Sequence, residues 1–447
     1  MTTITVIGDA LLDRDIIGSA ERLCPDAPVP VVDERGVDER PGGAALTACL
    51  ARDLGAEVRL VAPIADDEAG DRLCGLLADR GVSLFPCATT GSTIEKVRVR
   101  VGEQSLLRID RGRPGELFKL PDELDDVLAS SDALLVSDYG CGTTGSAAVR
   151  VAIGSVVRTR TAVVWDPHPR GTAPIDGTTI ATPNREEAAR FSGQQCRDLI
   201  GCVAAARALR TSWRAGAVAV TLGRDGAVLV TGPGAPLAVP VDEPVDGVDC
   251  CGAGDAFVAA ATVALGRGAV VSEAVEVAVG AAADFVVGRS PTGTHRPTAR
   301  AALNLDNGGV VVATSGCFDL LHSGHVHLLE RARRLGDRLV VLLNSDASVR
   351  RLKGAGRPLQ VEADRAAVLR SMSCVDEVLV FDEDTPVAAL DRLRPAVFVK
   401  GGDYAASDIP EAAAVSAWNG TVVTLPFLSG RSTTRLLQLA RGGSDVA

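Results

Sequence analysis

The sequence predicts two α/β domains: a larger one with a parallel sheet and a small β lid, followed by a smaller, Rossmann-like one. A chain of 447 residues is longer than one hydrophobic core usually supports. Short apolar runs alternate with helical ones from residue 55 to 231 and again after residue 308, which is typical of βαβ units. Between them, residues 288–308 mix Gly, Pro, Thr and Arg and favour a linker. We therefore predict domains at residues 1–295 and 309–447, joined by a linker at 296–308.

Composition and charge narrow the class of protein. The net charge of −11 gives no support to a surface for nucleic acid or for an anionic membrane. Eleven cysteines, an odd number without any Cys-x-x-Cys, do not indicate a disulfide framework. The chain starts on an apolar strand without a basic leader, and no apolar run reaches the roughly 18 residues of a membrane span. We expect a cytoplasmic, soluble protein with small-molecule substrates and with neither nucleic acid nor membrane as a partner.

The first strand is predicted at residues 3–8, and acidic residues follow it. Asp9 and Asp13 come where polar ligands bind in open α/β sheets, although a surface turn would look the same. Residues 29–32 and 93–109 alternate between apolar and polar positions. This alternation predicts antiparallel strands outside the main sheet, which form the lid.

The rest of the first domain is predicted to alternate strands and helices. Gly42 and Gly43 precede a predicted helix at 44–54 and permit close approach of the backbone to a ligand, which is weak support on its own. The other predicted strands are 58–62, 132–136, 162–165, 179–181 and 217–221, and the other predicted helices are 66–80, 144–158, 184–191 and 198–211.

Asn184 and Glu187 lie three residues apart at the start of one of these helices. This spacing puts both side chains on one helix face, where they could hold a water-coordinated Mg²⁺. The alternative is an ordinary helix start, because Asn is a common N-cap. Taken alone, the pattern favours the ordinary helix start.

The clearest signal in the first domain is the phrase Asp249-Cys250-Cys251-Gly252-Ala253-Gly254-Asp255, which opens a predicted helix at 256–265. Gly252, Ala253 and Gly254 leave backbone N–H groups at the positive end of the helix dipole, which suits a transferring phosphoryl group. Asp255 follows within the same turn and could accept the proton of an attacking hydroxyl. A glycine-rich helix start capped by Asp is the structural alternative.

The second domain is organised around Thr314 to His325, TSGCFDLLHSGH, after a predicted strand at 309–313. Gly316 is expected to allow a tight turn at the end of that strand. His322 and His325 stand at the start of an apolar-periodic helix, an arrangement that suits a triphosphate and a charged transition state. Zinc is the alternative ligand, but no Cys or acidic residue at ligand spacing completes a metal set nearby.

Further polar residues in the second domain point to polyphosphate binding. Arg351-Leu352-Lys353-Gly354 is predicted to lie in a polar loop, and Lys400 to Asp403 follow a strand. Ser432, Thr433 and Thr434 cap a closing helix at 433–440. Each alone could be surface decoration. The remaining predicted strands are 338–343, 375–381 and 396–399, and the helices are 323–334, 361–371 and 385–393.

These phrases resemble known families. Gly8-Asp9, Gly42-Gly43, Asn184 with Glu187, Thr221-x-Gly-x-x-Gly226 and Gly-Ala-Gly-Asp occur in the order used by ribokinase-like sugar kinases. The strand followed by FD-x-LH-x-GH resembles nucleotidyltransferases of the cytidylyltransferase type. Over nearly the full length, the phrases RPGGAA, SDYG, TPN-x-E-E, GAGD, NSDAS, RLKG, KGGDY and STT resemble the bifunctional heptose enzymes. Those are heptose 7-phosphate kinases fused to heptose 1-phosphate adenylyltransferases.

The resemblance implies roles for individual residues. In the kinase domain Asp255 is the base and residues 252–254 are the anion hole. The ATP and Mg²⁺ side consists of Asn184, Arg185, Glu186, Glu187, Thr221, Gly223 and Gly226, and the sugar side of Asp13, Gly42 and Gly43. In the transferase domain His322 and His325 stabilise the transition state. The nucleotide and its phosphates meet Gly316, Phe318, Lys353, Lys400, Asp403, Ser432, Thr433 and Thr434. ATP as substrate, Mg²⁺ as cofactor, a separate sugar-bisphosphate phosphatase and a homodimer are also implied.

Four residues depart from the pattern of these enzymes. Leu46 stands where Asn is usual, Cys141 where Lys is usual, Cys251 where Thr is usual and Ser315 where Asn is usual. The change at Cys141 predicts the loss of a positive charge near the sugar phosphate. Two other interpretations stay open: a second domain that uses CTP on an alcohol phosphate or sugar phosphate, and a first domain that has become a sugar-phosphate sensor.

Overall fold

A computed structural model of the chain describes residues 1–102, 104–242, 250–288, 309–402 and 409–426. Its contacts divide the chain into two compact units. The first contains the described residues of Met1–Gln194, Ala206–Thr221 and Val245–Gly293, and the second those of Gln195–Ala205, Leu222–Pro244 and Thr294–Ala447. The predicted linker at 296–308 lies outside the described residues, so the predicted domain boundary stays a prediction.

The main sheet of the first unit is parallel except at one edge. Its strands lie side by side in the order β12 (Ala217–Thr221), β11 (Ile180–Ala181), β10 (Ala162–Asp166), β9 (Ala133–Ser137), β1 (Thr3–Gly8), β4 (Glu57–Pro63), β5 (Ser83–Thr89) and β8 (Leu117–Lys119). Only β8 runs antiparallel to its neighbour among these described strands. The helices are α1 (Ala44–Asp53), α2 (Glu68–Asp79), α3 (Leu124–Ala129), α4 (Ala147–Arg158), α5 (Arg185–Ser192), α7 (Ala253–Gly266) and α8 (Val271–Val286). The helix α6 (Leu199–Trp213) belongs to the second unit up to Ala205 and to the first unit from Ala206.

A separate four-stranded sheet forms the predicted lid. Its order is β3 (Pro30–Gly43), β2 (Ala10–Leu23), β6 (Ile94–Val101) and β7 (Gln104–Arg111). β2 pairs antiparallel with β3 and parallel with β6, and β6 pairs antiparallel with β7.

The register of the main sheet gathers acidic residues at one edge. Gly8 pairs with Ser137, and Ser137 pairs with Asp166. Because parallel strands end at the same edge of a sheet, Asp9, Asp138 and Asp166 lie together at the carboxyl ends of three neighbouring strands. Ligands in open α/β sheets bind at this edge.

The second unit has a Rossmann-like sheet of five parallel strands. The order is β17 (Glu377–Phe381), β16 (Arg338–Asn344), β15 (Val311–Gly316), β18 (Val397–Gly401) and β19 (Thr421–Leu425). Its helices are α9 (Ser323–Arg333), α10 (Asp346–Lys353), α11 (Glu362–Ser371), α12 (Val387–Leu393) and α13 (Glu411–Ser416). An antiparallel hairpin of β13 (Ala227–Val230) and β14 (Leu237–Val239) is also part of this unit.

Both faces of this five-stranded sheet are buried. On β16, Leu339 and Val341 belong to the core that holds Leu329 of α9, whereas Val340 belongs to the opposite core with Leu390 of α12. A strand buried on both faces has no polar side, which is why β16 is a continuous apolar run in the sequence. The predicted α/β class is confirmed.

The sequence missed the strand β2 and placed Asp13 in a segment following β1. In the structure Asp13 is inside β2, paired with Arg40 of β3. The strand carries buried charge, because Asp15 forms an ion pair with Arg40 at 2.9 Å. β2 is therefore held by ion pairs within the lid, and it lacks the alternation of apolar and polar residues from which a strand is predicted.

Two predictions for the second unit were also wrong in detail. Lys353 is not in a loop but ends α10, a helix whose N-cap Ser345 accepts a hydrogen bond from the Ser348 N–H. The strand predicted at 309–313 runs from Val311 to Gly316, and the left-handed residue after it is Phe318, with φ of 45°. The predicted helix at 433–440 lies outside the described residues. No described helix combines the length and apolar character needed to cross a bilayer.

Candidate active sites

Asp255 lies in the first turn of α7, at the start predicted from the sequence. The N-cap of this helix is Gly252, whose φ of 95° is left-handed. A side chain there would be strained, and its Cβ would lie 2.9 Å from the ring of Phe285. Glycine at position 252 therefore allows the left-handed conformation with which α7 begins. In the first turn that follows, Asp255 is only 6% exposed.

One oxygen of Asp255 is fixed by two hydroxyl groups. Thr47 Oγ1 and Tyr139 Oη each donate to Asp255 Oδ1 at 2.6 Å. Oδ2 has no hydrogen-bond partner among the described residues. Burial raises the pKa of Asp255, and the negative charge of Asp13 raises it further. The hydrogen bonds from Thr47 and Tyr139 and the positive charge of Lys96 lower the same pKa. The carboxylate is thus oriented, and one oxygen stays available as a proton acceptor.

The loop that carries Tyr139 is held by Asp9. Asp9 Oδ2 accepts the backbone N–H of Tyr139 at 3.0 Å and of Cys141 at 2.9 Å, and Oδ1 accepts that of Thr143 at 3.1 Å. Asp9 is 1% exposed. The acidic residue expected to meet a ligand after the first strand therefore anchors a loop instead.

The predicted sugar-side residues lie together in the lid strands β2 and β3, next to the start of α1. Asp13 Oδ1 accepts from Arg98 at 3.0 Å. A Cβ added to Gly42 would lie 2.6 Å from Asp13 Oδ2, so a larger residue would displace this carboxylate. Gly43 follows as the N-cap of α1. Their contact with a sugar stays a prediction.

The predicted anion hole is partly used by the protein itself. The Ala253 N–H donates to the carbonyl of Cys250 at 3.0 Å. Within the described chain, the amides of Gly252 and Gly254 have no such acceptor. The amides that can meet a phosphoryl oxygen are therefore those of Gly252 and Gly254, two of the three that the sequence suggested.

Asn184 and Glu187 form a reciprocal capping box at the start of α5. The Glu187 N–H donates to Asn184 Oδ1 at 2.9 Å, and the Asn184 N–H donates to Glu187 Oε2 at 2.8 Å. The interpretation of this pair as an ordinary helix start is therefore correct. Arg185 and Glu186 fill the first turn, and Thr221, at the end of β12, bridges to Asn184. In the second unit, Leu222 closes the tight turn of Gly223 and Gly226 by donating its N–H to the Gly226 carbonyl.

The surroundings of Glu187 also fit a cation. Burial raises the pKa of Glu187 to about 7, and Glu186 and Asp138 act the same way. Burial likewise raises the pKa of Asp166 well above its ordinary value, and Glu187 and Asp255 add to that shift. No three described His, Cys, Asp or Glu residues form a direct metal set. Mg²⁺ held through water fits such an acidic pocket. Sequence reasoning missed Asp166, since nothing but its place after β10 distinguishes it.

Substitution of Glu187 by Gln is expected to raise the thermal unfolding midpoint at pH 8 by a few degrees without Mg²⁺. A carboxylate whose folded pKa is raised to about 7 costs stability as pH rises from its ordinary value through 7. Gln keeps the capping acceptor but carries no charge. The difference should shrink at pH 5, and Mg²⁺ at pH 8 should stabilise the wild type more than the variant.

The matched control is Glu186→Gln, which removes an exposed carboxylate from the next position on the same helix. Because the charge of Glu186 also raises the pKa of Glu187, this variant should raise the unfolding midpoint at pH 8 by less than Glu187→Gln does, and its effect should also shrink at pH 5. A lower midpoint for Glu187→Gln at pH 8 without metal would contradict the buried-charge argument.

In the second unit His322 and His325 come together as predicted. His322 is the N-cap of α9, and the two rings stack with centroids 3.9 Å apart. Burial lowers the pKa of His325 to about 4, and His322 and Lys353 act the same way. His325 Nδ1 is buried without a hydrogen-bond partner among the described residues. His325 is therefore neutral at pH 7, and its single ring N–H can donate a hydrogen bond without carrying charge.

The loop between β15 and α9 is held by residues that sequence reasoning missed. Arg365, 1% exposed, donates to the Cys317 carbonyl at 2.5 Å and to Asp346 at 2.8 Å. Asp319 accepts the Leu359 N–H at 2.6 Å and pairs with Arg357. A fully buried arginine cannot be distinguished from an exposed one in a polar helix, so no signal in the sequence pointed to Arg365.

The other predicted phosphate-side residues differ in their surroundings. Gly316 ends β15, and a Cβ there would lie 3.1 Å from the ring of Phe318, which tilts against His325 at 5.3 Å. Lys353 is exposed at the end of α10. Lys400 instead forms an ion pair with buried Glu411 at 2.9 Å. The predictions at Asp403, Ser432, Thr433 and Thr434 lie outside the described residues.

Two family models match the chain. The model of pfkB family carbohydrate kinases matches residues 1–299, and the cytidylyltransferase-like model matches residues 313–436. The bifunctional protein HldE of Streptomyces coelicolor is 50% identical over 461 residues, which cover 99% of this chain and 97% of that protein. The chain belongs to the HldE family. HldE of Azorhizobium caulinodans is 37% identical, over 99% of this chain and 98% of that protein.

Solved structures show the same fold for the kinase part. Arabidopsis thaliana ribokinase complexed with ribose and ATP matches with a TM-score of 0.52 at 19% identity, over 64% of this chain and 93% of that one. Escherichia coli phosphofructokinase-2 with fructose-6-phosphate matches with a TM-score of 0.51 at 20% identity, over 65% and 95%. The predicted ribokinase-like fold is confirmed. As a member of the HldE family, the protein is a bifunctional enzyme, a kinase joined to a nucleotidyltransferase.

Proposed function

We propose that the enzyme makes a nucleotide-activated heptose in two steps. The kinase part transfers the γ-phosphoryl group of ATP to the anomeric hydroxyl of heptose 7-phosphate. The transferase part joins heptose 1-phosphate to the adenylyl group of a second ATP, which gives ADP-heptose and pyrophosphate. The support is the HldE family, the resemblance of the phrases to heptose enzymes and the geometry of the two sites.

The arrangement around Asp255 carries the kinase assignment. Thr47 and Tyr139 hold Oδ1, so Oδ2 is oriented to take the proton from the sugar hydroxyl. Tyr139 donates because burial and Asp255 raise its pKa well above the ordinary value. The amides of Gly252 and Gly254, at the positive end of α7, would hold the oxygens of the transferring group. Mg²⁺, held through water near Glu187 and Asp166, would neutralise phosphate charge.

The two stacked histidines carry the transferase assignment. A neutral His325 beside His322 supplies N–H donors at the entrance of α9, where the helix dipole also favours an anion. These donors would stabilise the negative charge that develops at the α-phosphate when the sugar phosphate attacks. No covalent intermediate is needed, since alignment and electrostatic stabilisation account for the step.

The two reactions need a third enzyme between them. The kinase product carries two phosphates, whereas the transferase substrate carries only the anomeric one. A separate sugar-bisphosphate phosphatase must therefore act between the steps. A homodimer in the cytoplasm is part of the same proposal.

The purified protein with heptose 7-phosphate and excess ATP is expected to stop at the bisphosphate. Addition of a sugar-bisphosphate phosphatase should then give nucleotide-activated heptose and pyrophosphate, which mass spectrometry and a pyrophosphate assay would detect. The second step should be run with all four nucleoside triphosphates, because an enzyme that prefers CTP would fit a cytidylyltransferase-like domain equally well. Nucleotide-sugar formed without phosphatase would contradict the proposed substrates.

A further inference from the structure

The stretch Leu222–Pro244 belongs to one part of the chain by sequence and to the other by packing. The model of pfkB family carbohydrate kinases spans it, since that model matches residues 1–299. The contacts of the folded chain nevertheless place it in the second unit, together with the transferase sheet. A segment that matches a kinase in sequence and packs with the transferase can connect the two reactions.

The strand β14 of this stretch extends the transferase sheet by one strand. It lies parallel to β19, with Leu237 opposite Thr424, and the Thr424 N–H donates to the Pro236 carbonyl at 2.9 Å. Ala238 is buried in the core that also holds Leu329 of α9. β14 is therefore firmly anchored, because its release would expose this core and the backbone groups of β19.

The residues that follow β14 are held by α9. Arg331 donates through Nε and Nη2 to Asp242 Oδ1, both at 3.1 Å, and Arg334 donates to the Val241 carbonyl. The Asp242 side chain is 54% exposed, so this ion pair can break and re-form at a small cost in free energy. Because α9 begins at His322, the contact joins Asp242 to the helix that carries both histidines.

The other end of the stretch is the turn that the resemblance assigns to the nucleotide of the kinase. The Leu222 N–H donates to the Gly226 carbonyl at 2.7 Å and closes this turn. β13 follows directly, and its Ala227 pairs with Val239 of β14. The turn and Asp242 therefore flank one hydrogen-bonded hairpin, and a ligand that orders the turn also orders the residues that the hairpin holds.

We propose that residues 222–242 couple the two nucleotide sites. The coupled states differ at the ion pair between Arg331 and Asp242, which forms when a nucleotide orders the turn and breaks more often when the turn is empty. The formed pair steadies α9 and with it His322 and His325, so a filled kinase site accelerates adenylyl transfer. By thermodynamic linkage, a ligand on the histidines tightens nucleotide binding at the turn by the same factor. This inference rests on the proposed function, from which it takes both nucleotide sites.

The test fills the kinase site without turnover and measures the other reaction. Full-length Asp255→Asn protein is given heptose 1-phosphate and ATP, at an ATP concentration that fills the kinase site only when heptose 7-phosphate is added, as calorimetry establishes. Addition of heptose 7-phosphate should raise the rate of pyrophosphate release about fivefold, which is within the usual range of coupling between sites. Competition between the two sugars at the transferase site would lower this rate instead.

Variants of the ion pair show whether the stimulation passes through it. Added to the Asp255→Asn protein, Arg331→Gln and Asp242→Asn should each reduce the stimulation to about 1.5-fold or less, and both together should lose no more than either alone. The reversed pair, Asp242→Arg with Arg331→Asp, should regain most of it. Arg333→Gln is the matched control, because Arg333 lies on the same helix but pairs with Asp376 at 2.9 Å. It should keep the full stimulation.

The outcomes separate the coupling from the proposed function. An unchanged or lower rate of pyrophosphate release with a filled kinase site would overturn the coupling, as would full stimulation in both Arg331→Gln and Asp242→Asn. A wild type that releases pyrophosphate from heptose 1-phosphate with none of the four nucleoside triphosphates would overturn the proposed function instead.

Discussion

Replacement of Asp255 by Asn is expected to slow the kinase reaction by roughly 10²–10⁴-fold, the usual contribution of a general base. Asn keeps the side-chain oxygen that accepts from Thr47 and Tyr139, so the fold and the sugar site should survive. Only the capacity to take a proton is lost. Steady-state kinetics should show the loss in kcat, and calorimetry should show sugar affinity within a few-fold of the wild type.

Asp53→Asn is the control for this experiment. Asp53 ends α1, the helix that carries Thr47, and pairs on the surface with Arg80. Its kinase rate should match the wild type. A wild-type protein that binds sugar phosphate but shows no measurable kinase activity would contradict this prediction. The first domain would then be a sensor and not a kinase.

Replacement of His322 by Asn is expected to reduce pyrophosphate release by roughly 10²–10³-fold, the effect of removing one donor to a transition-state anion. Asn is a favourable N-cap, so α9 should still begin at the same residue. The kinase rate of the same preparation should stay unchanged, because His322 and Asp255 belong to different compact units. Separate assays of the two half-reactions on one sample provide the measurement.

His327→Asn is the matched control on the same helix. His327 lies two residues beyond His325, on the opposite side of α9, and Arg331 is among the groups that lower its pKa after burial. Its pyrophosphate release should stay within about threefold of the wild type. Equal losses at His322 and His327 would mean that both substitutions act by disturbing α9.

The fold could be predicted where periodicity was undisturbed. The parallel strands of both sheets are apolar runs, and β1, β9, β10 and β12 begin and end within about one or two residues of the prediction. β2 could not be predicted, because its buried charges are compensated by Arg40 and Arg100 from strands distant in sequence. The helix α10 was missed because Arg350 to Lys353 are as polar as a loop, and its N-cap was not weighed.

Only those residues of the candidate sites that belong to short local sequence motifs could be predicted. Asp255, His322 and His325 belong to such phrases and come together as expected. Thr47 and Tyr139 are separated from Asp255 by 208 and 116 residues in the sequence, and no local motif predicts contacts over such separations. Arg365 is of the same kind, since its importance comes from its burial and from its contacts with Cys317 and Asp346.

The three hydrogen bonds that Asp9 accepts have a consequence for how this chain can change during evolution. They fix the course of the loop through the backbone N–H groups of Tyr139, Cys141 and Thr143, whatever side chain stands at position 141. The side chain at position 141 can therefore be replaced without loss of the hydrogen bonds that fix the course of the loop. Asp9 has no such freedom. A substitution of Asp9 would appear in a genetic screen as a loss of kinase activity, although Asp9 contacts the loop and not the reacting atoms.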